Sequence, residues 1–570
     1  MNEVRPSRGV NVLGGARWRG SVADWVAGCV AVGSILVRAL LLLPVLVAGL
    51  ALAHDPEGVA RDGAAQAGTA QAGVTDVKLA GASIVTESPH VSLNGRVVTI
   101  SAPGTYRLFG QLHNGRVVVS SNEPGAVILV LDGVSVHAAN GPAVVVEAAD
   151  QVVLRLAAGS YNNLFDGRER LAGDPGAALF SEAPLVIEGE GHLLVMARLK
   201  HGVAGESSVV MDGGVVTVSA ADDGVRGEDL TVNGGDLLVF SANDALKSTG
   251  EDVGSGVVEI NGGHVDLVAE GDGVQAERLL VVRGGVTKVF AGGGHTVPPT
   301  DASTKGLKAD VELIVEGGTV TVDSSDDSVH SDGDIRILGG RLTLATGDDA
   351  VHADGSLLVA DGWVEVTASW EGLEASQVTI TGGTVLVWAD DDGLNAAGDA
   401  PASELLLTIS GGHLVVGAGS DAVDSNGAVH VTGGTVVLNG PFTFAKPAID
   451  RHLRHTVLLD GATVVAAGTL VLGRASGIDP LSSQAVVYLD FHWWVQEGTL
   501  VSLRGRDGWV GTFRAPQTLT RMSFSSPLIE AGATYELFLG GDPVGEELLG
   551  GVFSPAGVSG AELRWRFQAR

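Results

Sequence analysis

The chain has 570 residues, of which 83 are glycine and only 5% aromatic, and it carries a formal net charge of −32. Such a charge repels phosphate backbones, which excludes nucleic acid as a partner and makes divalent cations the natural counter-ions. A single cysteine, Cys29, excludes an intrachain disulfide, while abundant β-branched and turn-forming residues point to many short strands and no long amphipathic helix.

Residues 1–53 read as an export segment. Arg5, Arg8, Arg17 and Arg19 form a basic start, Arg38 precedes the apolar run Ala39–Leu52, and Ala51-Leu52-Ala53 offers a cleavage site of small residues. Two alternatives stay open: an uncleaved membrane anchor that begins near Trp25, and a lipoprotein box at Val26-Ala27-Gly28-Cys29. Any contact with a membrane is expected through this segment alone, and the mature chain is expected to be secreted or held in the cell envelope. Residues 54–75, rich in Ala, Gly and Gln without periodicity, read as a flexible linker.

Strands with loose spacing occupy 76–200, as expected of irregular first coils. From 201 to 440 a corner of two small or turn residues recurs, beginning at Gly213, Gly234, Gly262, Gly284, Gly317, Gly339, Asp361, Gly382, Gly411 and Gly433. The period is about 22 residues, with three longer steps. Around each corner apolar and polar residues alternate, as in Gly317-Gly318-Thr319-Val320-Thr321-Val322, the pattern of a strand with one buried face. A unit of this length holds about three short strands, which predicts an all-β fold, a right-handed single-stranded parallel β-helix. Equivalent residues should then stack ~4.8 Å apart into columns.

Ten residues after the corner stands an acid in eight of nine coils: Asp223, Asp244, Asp272, Asp327, Asp349, Glu371, Asp392 and Asp421; Lys305 replaces it in the ninth. Several are doubled, by Asp222, Asp326, Asp348 and Asp391. A lone aspartate here would be a solvated turn former. Stacked carboxylates ~5 Å apart repel by about 1 kcal/mol in water and more near a protein surface, so raised pKa values or bound hard cations must offset them. Doubled carboxylates offer the many oxygens that calcium prefers. The candidate metal ligands are Asp222, Asp223, Asp272, Asp326, Asp327, Asp348, Asp349, Glu371, Asp391, Asp392 and Asp421, densest between 326 and 392.

Three positions further on runs a second outward column: Arg226, Lys247, Gln275, Lys308, His330, His352, Glu374, Asn395 and Asp424. Its changing character suits either recognition of a hydroxyl-rich ligand or an ordinary solvated face. Insertions at 248–256, 292–303 and 397–404 gather beside these columns, as loops on the binding side of a solenoid do. Trp370 adjoins Glu371, and Trp388, Phe240 and Phe290 share the sixth position after the corner, candidate stacking platforms for sugar rings. His330 and His352, one coil apart, read as a surface ladder more than a metal pair. Beyond 441 the glycine rhythm stops, and strand-like runs at 486–491, 500–503 and 535–539 suggest a small β cap or sandwich spanning 441–570, with Trp493-Trp494 read as packed against the last coil in preference to forming an exposed patch.

The runs Asp272-Gly273-Val274-Gln275-Ala276, Lys305-Gly306-Leu307-Lys308-Ala309, Asp326-Asp327-Ser328-Val329-His330-Ser331, Asp348-Asp349-Ala350-Val351-His352-Ala353, Glu371-Gly372-Leu373-Glu374-Ala375 and Asp391-Asp392-Gly393-Leu394-Asn395-Ala396, taken together, are specific. They resemble bacterial carbohydrate-binding β-helix proteins, which bind cellulose and acidic pectic polymers and look like relatives of the family 9 pectate lyases. The likeness reaches upstream to Ala102-Pro103-Gly104-Thr105-Tyr106 and downstream to Gly532-Ala533-Thr534-Tyr535. It implies calcium in the acidic clusters and polysaccharide as ligand. Ala245, Ser328, Ala350 and Ala422 depart from glycines of that pattern, and Lys305 from its acid, which weakens the implication for calcium at those coils.

The leading expectation is therefore a monomeric, noncatalytic, calcium-dependent polysaccharide-binding protein. One rival is a calcium-dependent lyase in which Lys305, Lys308 or Lys247 removes the proton α to a uronate carboxyl group. The other is a structural surface solenoid or adhesin.

Overall fold

The computed structural model describes residues 73–170, 172–441, 448–450, 457–468, 479 and 481–569. The expected export segment, and all of the expected linker before Gly73, lie outside them. Strands dominate, and parallel pairing runs from coil to coil, as in Val320↔Leu342, Leu342↔Val364 and Val364↔Val385. This is the stacked-coil β-helix that the repeat predicts.

Each regular coil contributes to three parallel sheets. Long strands such as Val215–Ala220 and Thr319–Ser324 form the first. Short strands such as Val225–Gly227 and Val329–Ser331 form the second, and strands such as Leu230–Val232 and Asp334–Ile337 form the third. Alternate side chains point inward, so Val320, Val322, Val329, Ile335 and Ile337 of one coil are wholly or almost wholly buried. Burying a side chain of this size is worth about 1.5–3 kcal/mol, and repetition of that pattern sets the register. The second corner residue must be glycine: Gly318 and Gly340 have φ of 82° and 84°, a conformation that side chains resist.

The coils before residue 200 are built on the same plan with irregular connections; Tyr106 pairs with Leu129, and Leu129 with Leu154. At the far end the chain turns antiparallel. Leu519–Ser525 pairs with both Thr463–Gly468 and Val486–Val495, and a separate antiparallel sheet follows with Glu562–Gln568 on one edge. A second hydrophobic cluster joins Val415, Val437 and Val465, on the outer face of the long-strand sheet, to Phe491, Phe513 and Phe524. The C-terminal region thus folds back over the side of the last coils. Trp493 and Trp494 do not have the buried packing expected of them. They remain 46% and 57% exposed, and Trp493 meets Trp565 of the C-terminal sheet edge-on at 5.5 Å.

Candidate functional site

The short-strand sheet carries the outward column, and pairing there is residue by residue. Arg226 pairs with Lys247, Lys247 with Gln275, Gln275 with Lys308, Lys308 with His330 and His330 with His352; then follow Glu374, Asn395 and Asp424. The acids stack equally well. The N–H of the residue after each acid donates to the carbonyl of the acid in the next coil: Gly224 to Asp244, Ala245 to Asp272, Gly273 to Lys305, Gly306 to Asp327, Ser328 to Asp349, Ala350 to Glu371, Gly372 to Asp392 and Gly393 to Asp421. A flanking column holds Trp370, whose N–H donates to the Asp348 carbonyl and whose carbonyl accepts from Asp391. Two insertions, 248–256 and 397–404, border the short strands on one side, and 292–303 borders them on the other.

Much of the repulsion between these acids is cancelled inside the fold. Carboxylates accept from the main chain of the next coil: Asp244 from the Asp272 N–H at 2.9 Å, Asp272 from Lys305 at 2.7 Å, Asp327 from Asp349 at 3.1 Å and Asp392 from Asp421 at 2.8 Å. The outward column adds basic or imidazole partners three residues on. Lys247 lies 2.8 Å from Asp244, His330 2.8 Å from Asp327, His352 3.0 Å from Asp349 and Arg226 3.5 Å from Asp223. Its variety of sign is therefore tied in part to the acids beside it.

Lys305, standing where the other coils have an acid, places its ammonium 2.8 Å from Asp326 and 3.0 Å from Asp327. Burial alone would lower its pKa, but the carboxylates of Asp327 and Asp326 hold it well above the ordinary lysine value. Burial would raise Asp327, yet the hydrogen bond from His330 and the charge of Lys305 keep it far below the usual carboxylate range. An internal cation thus occupies one end of the densest expected metal cluster, at Asp326 and Asp327.

Over the next two coils the balance reverses. Burial and the neighbouring Glu371 and Asp349 push Glu374 up to about 9. Burial, opposed by His352 but reinforced by the charges of Asp327, Glu371 and Asp348, raises Asp349 to about 7. His352, which burial would lower, is lifted by Asp349 and Asp327. Asn395 Nδ2 donates to Glu371 at 2.7 Å and to Glu374 at 3.1 Å. Among the described residues no lysine or arginine forms an ion pair with Glu371 or Glu374.

Three groups have ligand atoms within 4.8 Å of one another: His201, Asp222 and Asp223; Asp326, Asp327 and Asp348; Asp349, His352 and Glu374. Of the expected ligands, Asp272, Glu371, Asp391, Asp392 and Asp421 stand in the columns without joining such a group. Asp272 is buried and accepts from the Ser303 hydroxyl at 2.8 Å, which ties the 292–303 insertion to the column. His201 was missed by the corner spacing; its signal is His201-Gly202-Val203, which lies against Asp223-Gly224-Val225 of the next coil. The His330 and His352 rings stack at 5.2 Å, and each turns its second nitrogen to another carboxylate, Asp332 or Asp354. The rings form a ladder, and His352 also belongs to the third of the groups above. Ala245, Ser328, Ala350 and Ala422 are completely buried, so their departures from glycine change interior packing and not the ligand set.

The aromatic positions divide. Phe240 and Phe290 share one column through Val268, while Trp388 lies over Gly417 of the next coil, where an added Cβ would come within 2.2 Å of the indole, and leaves 52% of its surface exposed. An indole backed by backbone and open on its other face can stack on a ring.

The family model described as "Carbohydrate-binding domain-containing protein" matches residues 94–350 and 348–445, the solenoid that carries these columns. The chain belongs to that family. A member from Acetivibrio thermocellus, described in the same words, is 29% identical over 135 residues, 23% of this chain and 47% of the relative. The chain thus spans about half the length of that carbohydrate-binding domain protein. A solved structure described as "Structure of the polysaccharide lyase-like protein from C. thermocellum, Gadolinium derivative" is 24% identical, covers 46% of this chain and 96% of its own, and superposes with a TM-score of 0.37.

Proposed function

We propose that this carbohydrate-binding domain protein is exported, works as a monomer, and holds an acidic polysaccharide along the short-strand face with the help of calcium, without cleaving it. Family membership supports carbohydrate as the ligand class. The observation that carries the calcium reading is the crowding of Asp349, Glu371 and Glu374, where burial and like charge push Glu374 up to about 9.

Such a cluster must hold either protons or a cation. Calcium takes about 6–8 oxygen ligands, and Asp349, Glu371 and Glu374, with Asp348, Asp391 and Asp392 in the same and neighbouring coils, are oxygen donors of the right kind. When bound, calcium would supply positive charge to which uronate carboxylates can attach. Asp326 and Asp327 fit this role less well, because the Lys305 ammonium already stands between them. Arg226, Lys247, Gln275 and Lys308 would supply donors to carboxylates and hydroxyls along the face, and Trp370 and Trp388 would supply ring contacts; Asn395, expected to face outward with them, is buried and spends both amide hydrogens on Glu371 and Glu374.

The lyase reading is the weaker one. A lysine acting as a base must shed its proton near neutral pH. Lys305 is held protonated by two carboxylates, Lys247 is raised despite its burial by Asp244, and Lys308 lies 3.8 Å from Asp310. The test is retention of the full chain on polygalacturonate and on cellulose, with calcium or with chelator. We expect calcium-dependent retention on polygalacturonate and no unsaturated product. Equal retention in chelator would overturn the calcium bridge, accumulating product would restore the lyase, and no retention on either polymer would leave a structural solenoid.

A further inference from the structure

A second feature points to carbohydrate at a place outside residues 94–445 and far along the chain from the acidic columns. Strand Val486–Val495 pairs with Leu519–Ser525 in regular antiparallel register as far as Asp490↔Arg521, and the next partner is Val495↔Leu519. The residues between form a bulge, and bulges re-aim side chains away from the alternation of a flat strand. Neighbouring tryptophans on a regular strand would face opposite sides. Here Trp493 and Trp494 are both exposed, at 46% and 57%, and both line one groove of about 410 Å³.

Aromatic rings and glycine turns wall the groove. Trp493 is braced by Trp565 at 5.5 Å with the rings perpendicular, and by Phe491 at 6.4 Å. Opposite stand the turns at Gly540-Gly541 and Gly560; Gly540 and Gly560 have φ of 74° and 66°, and neither would meet anything within 4 Å if given a Cβ, so the turns leave open room. The rim is polar. Gln496 and Thr499 line it, and Arg564 pairs with Glu562 at 2.8 Å.

We infer that this groove is a second carbohydrate site, for a neutral pyranose unit of a polysaccharide. Its volume lies in the ~300–1,000 Å³ range of small-ligand sites, and a few polar groups around an apolar aromatic wall are what such sites use to orient a ligand. The C–H face of a pyranose matches an indole plane, and its hydroxyls match amide, hydroxyl and paired-ion partners. Neutral sugar fits better than uronate because the Arg564 guanidinium is already balanced by Glu562, in a chain whose net charge is −32. The inference leans on the carbohydrate-binding family for the ligand class but not on calcium or on the short-strand face. The two regions would hold different stretches of a mixed polymer, acidic on the solenoid and neutral at the C-terminal sheet.

The test is titration of the full chain with cellohexaose and with trigalacturonate in chelator, followed by indole fluorescence and calorimetry. Cellohexaose should bind and shift the emission, trigalacturonate should not, and Trp494→Ala should weaken cellohexaose about tenfold or more while Trp494→Phe keeps part of the affinity. Retention of Trp494→Ala on polygalacturonate in calcium should match the parent, so failure at either site reads separately. Absence of cellohexaose binding, or equal binding by the parent and Trp494→Ala, would overturn the inference. So would a concentration-dependent dimer that Trp494→Ala dissolves, which would give the groove to a second copy of the chain.

Discussion

Replacing Lys305 with methionine removes the internal cation while keeping much of the side-chain volume. At an effective dielectric of about 20, each contact near 3 Å contributes roughly 5 kcal/mol of attraction, most of it spent on desolvating three buried charges. Removing one partner strands the others, and the cost of breaking a buried pair is about 3–5 kcal/mol. The Lys305, Asp326 and Asp327 side chains are only 14%, 13% and 6% exposed, so solvent screens little of this. A long solenoid does not unfold as a single unit, so a global melting temperature would blur the effect. Amide exchange of the coils carrying 305–331, in chelator, is the local measurement. We expect faster exchange there, partly restored by calcium, since a ligand at a hundred times its Kd returns about 2.7 kcal/mol. Unchanged exchange with and without calcium would refute the reading of Lys305 as a built-in counter-ion.

Other perturbations probe the neighbouring coils. In chelator, stability should fall as pH rises from about 4 toward 9: Asp349 and Glu374 are raised in the folded state, so their contribution is fully present below the ordinary carboxylate value and is lost as pH climbs through about 7 and about 9. Calcium added at high pH should reverse the fall, and denaturant curves at several pH values with and without the ion would show it. Glu374→Gln keeps a hydrogen-bonding side chain that is neutral without a proton; it should stabilise the chain by about 1 kcal/mol at pH 8 in chelator, where the parent must take up that proton on folding, and blunt the calcium response, read from the same curves. Gly273→Ala should cost about 1–3 kcal/mol, because its Cβ would stand 2.1 Å from Val289 Cγ1, and crystallographic or exchange comparison would place the damage inside the coil. Trp388→Ala should weaken polygalacturonate binding by roughly tenfold, about 1.4 kcal/mol, in affinity electrophoresis with melting unchanged.

The columns were legible because a parallel coil converts a spacing in the chain into a place on the surface. The corner at Gly317, the inward Val329 and the outward His330 each follow from counting. Counting cannot say which way an atom turns. That Lys247 reaches back to Asp244, or that Lys305 bridges Asp326 and Asp327, depends on side-chain direction within a few ångströms. His201 escaped because its coil lacks both the acid and the glycine pair. The fold-back of the C-terminal sheet also has a signal in the sequence. Along the outward middle position of the long strands the residues run Thr321, Thr343, Glu365, Leu386, Val415, Val437 and Val465, and the change to apolar residues marks where that sheet docks.

Charge along the solenoid therefore has a direction. From Asp223 to Asp349 most acids have a basic or imidazole partner three residues later or, for Asp326 and Asp327, the ammonium of Lys305. At Glu371 the partner becomes Glu374, and at Asp392 it becomes Asn395, which turns its amide back to the glutamates. Burial raises Asp392 as well, against the pull of the Asp421 N–H. A protein evolved only to keep its coils together could have continued the lysine and histidine partners to the end. Their replacement by carboxylates and an amide concentrates unmet negative charge beside Trp370 and Trp388, so cation demand and the aromatic platforms coincide on the same few coils. The stretch from 349 to 395 is accordingly where ligand and metal should be sought together, and the earlier coils where removing calcium should matter least.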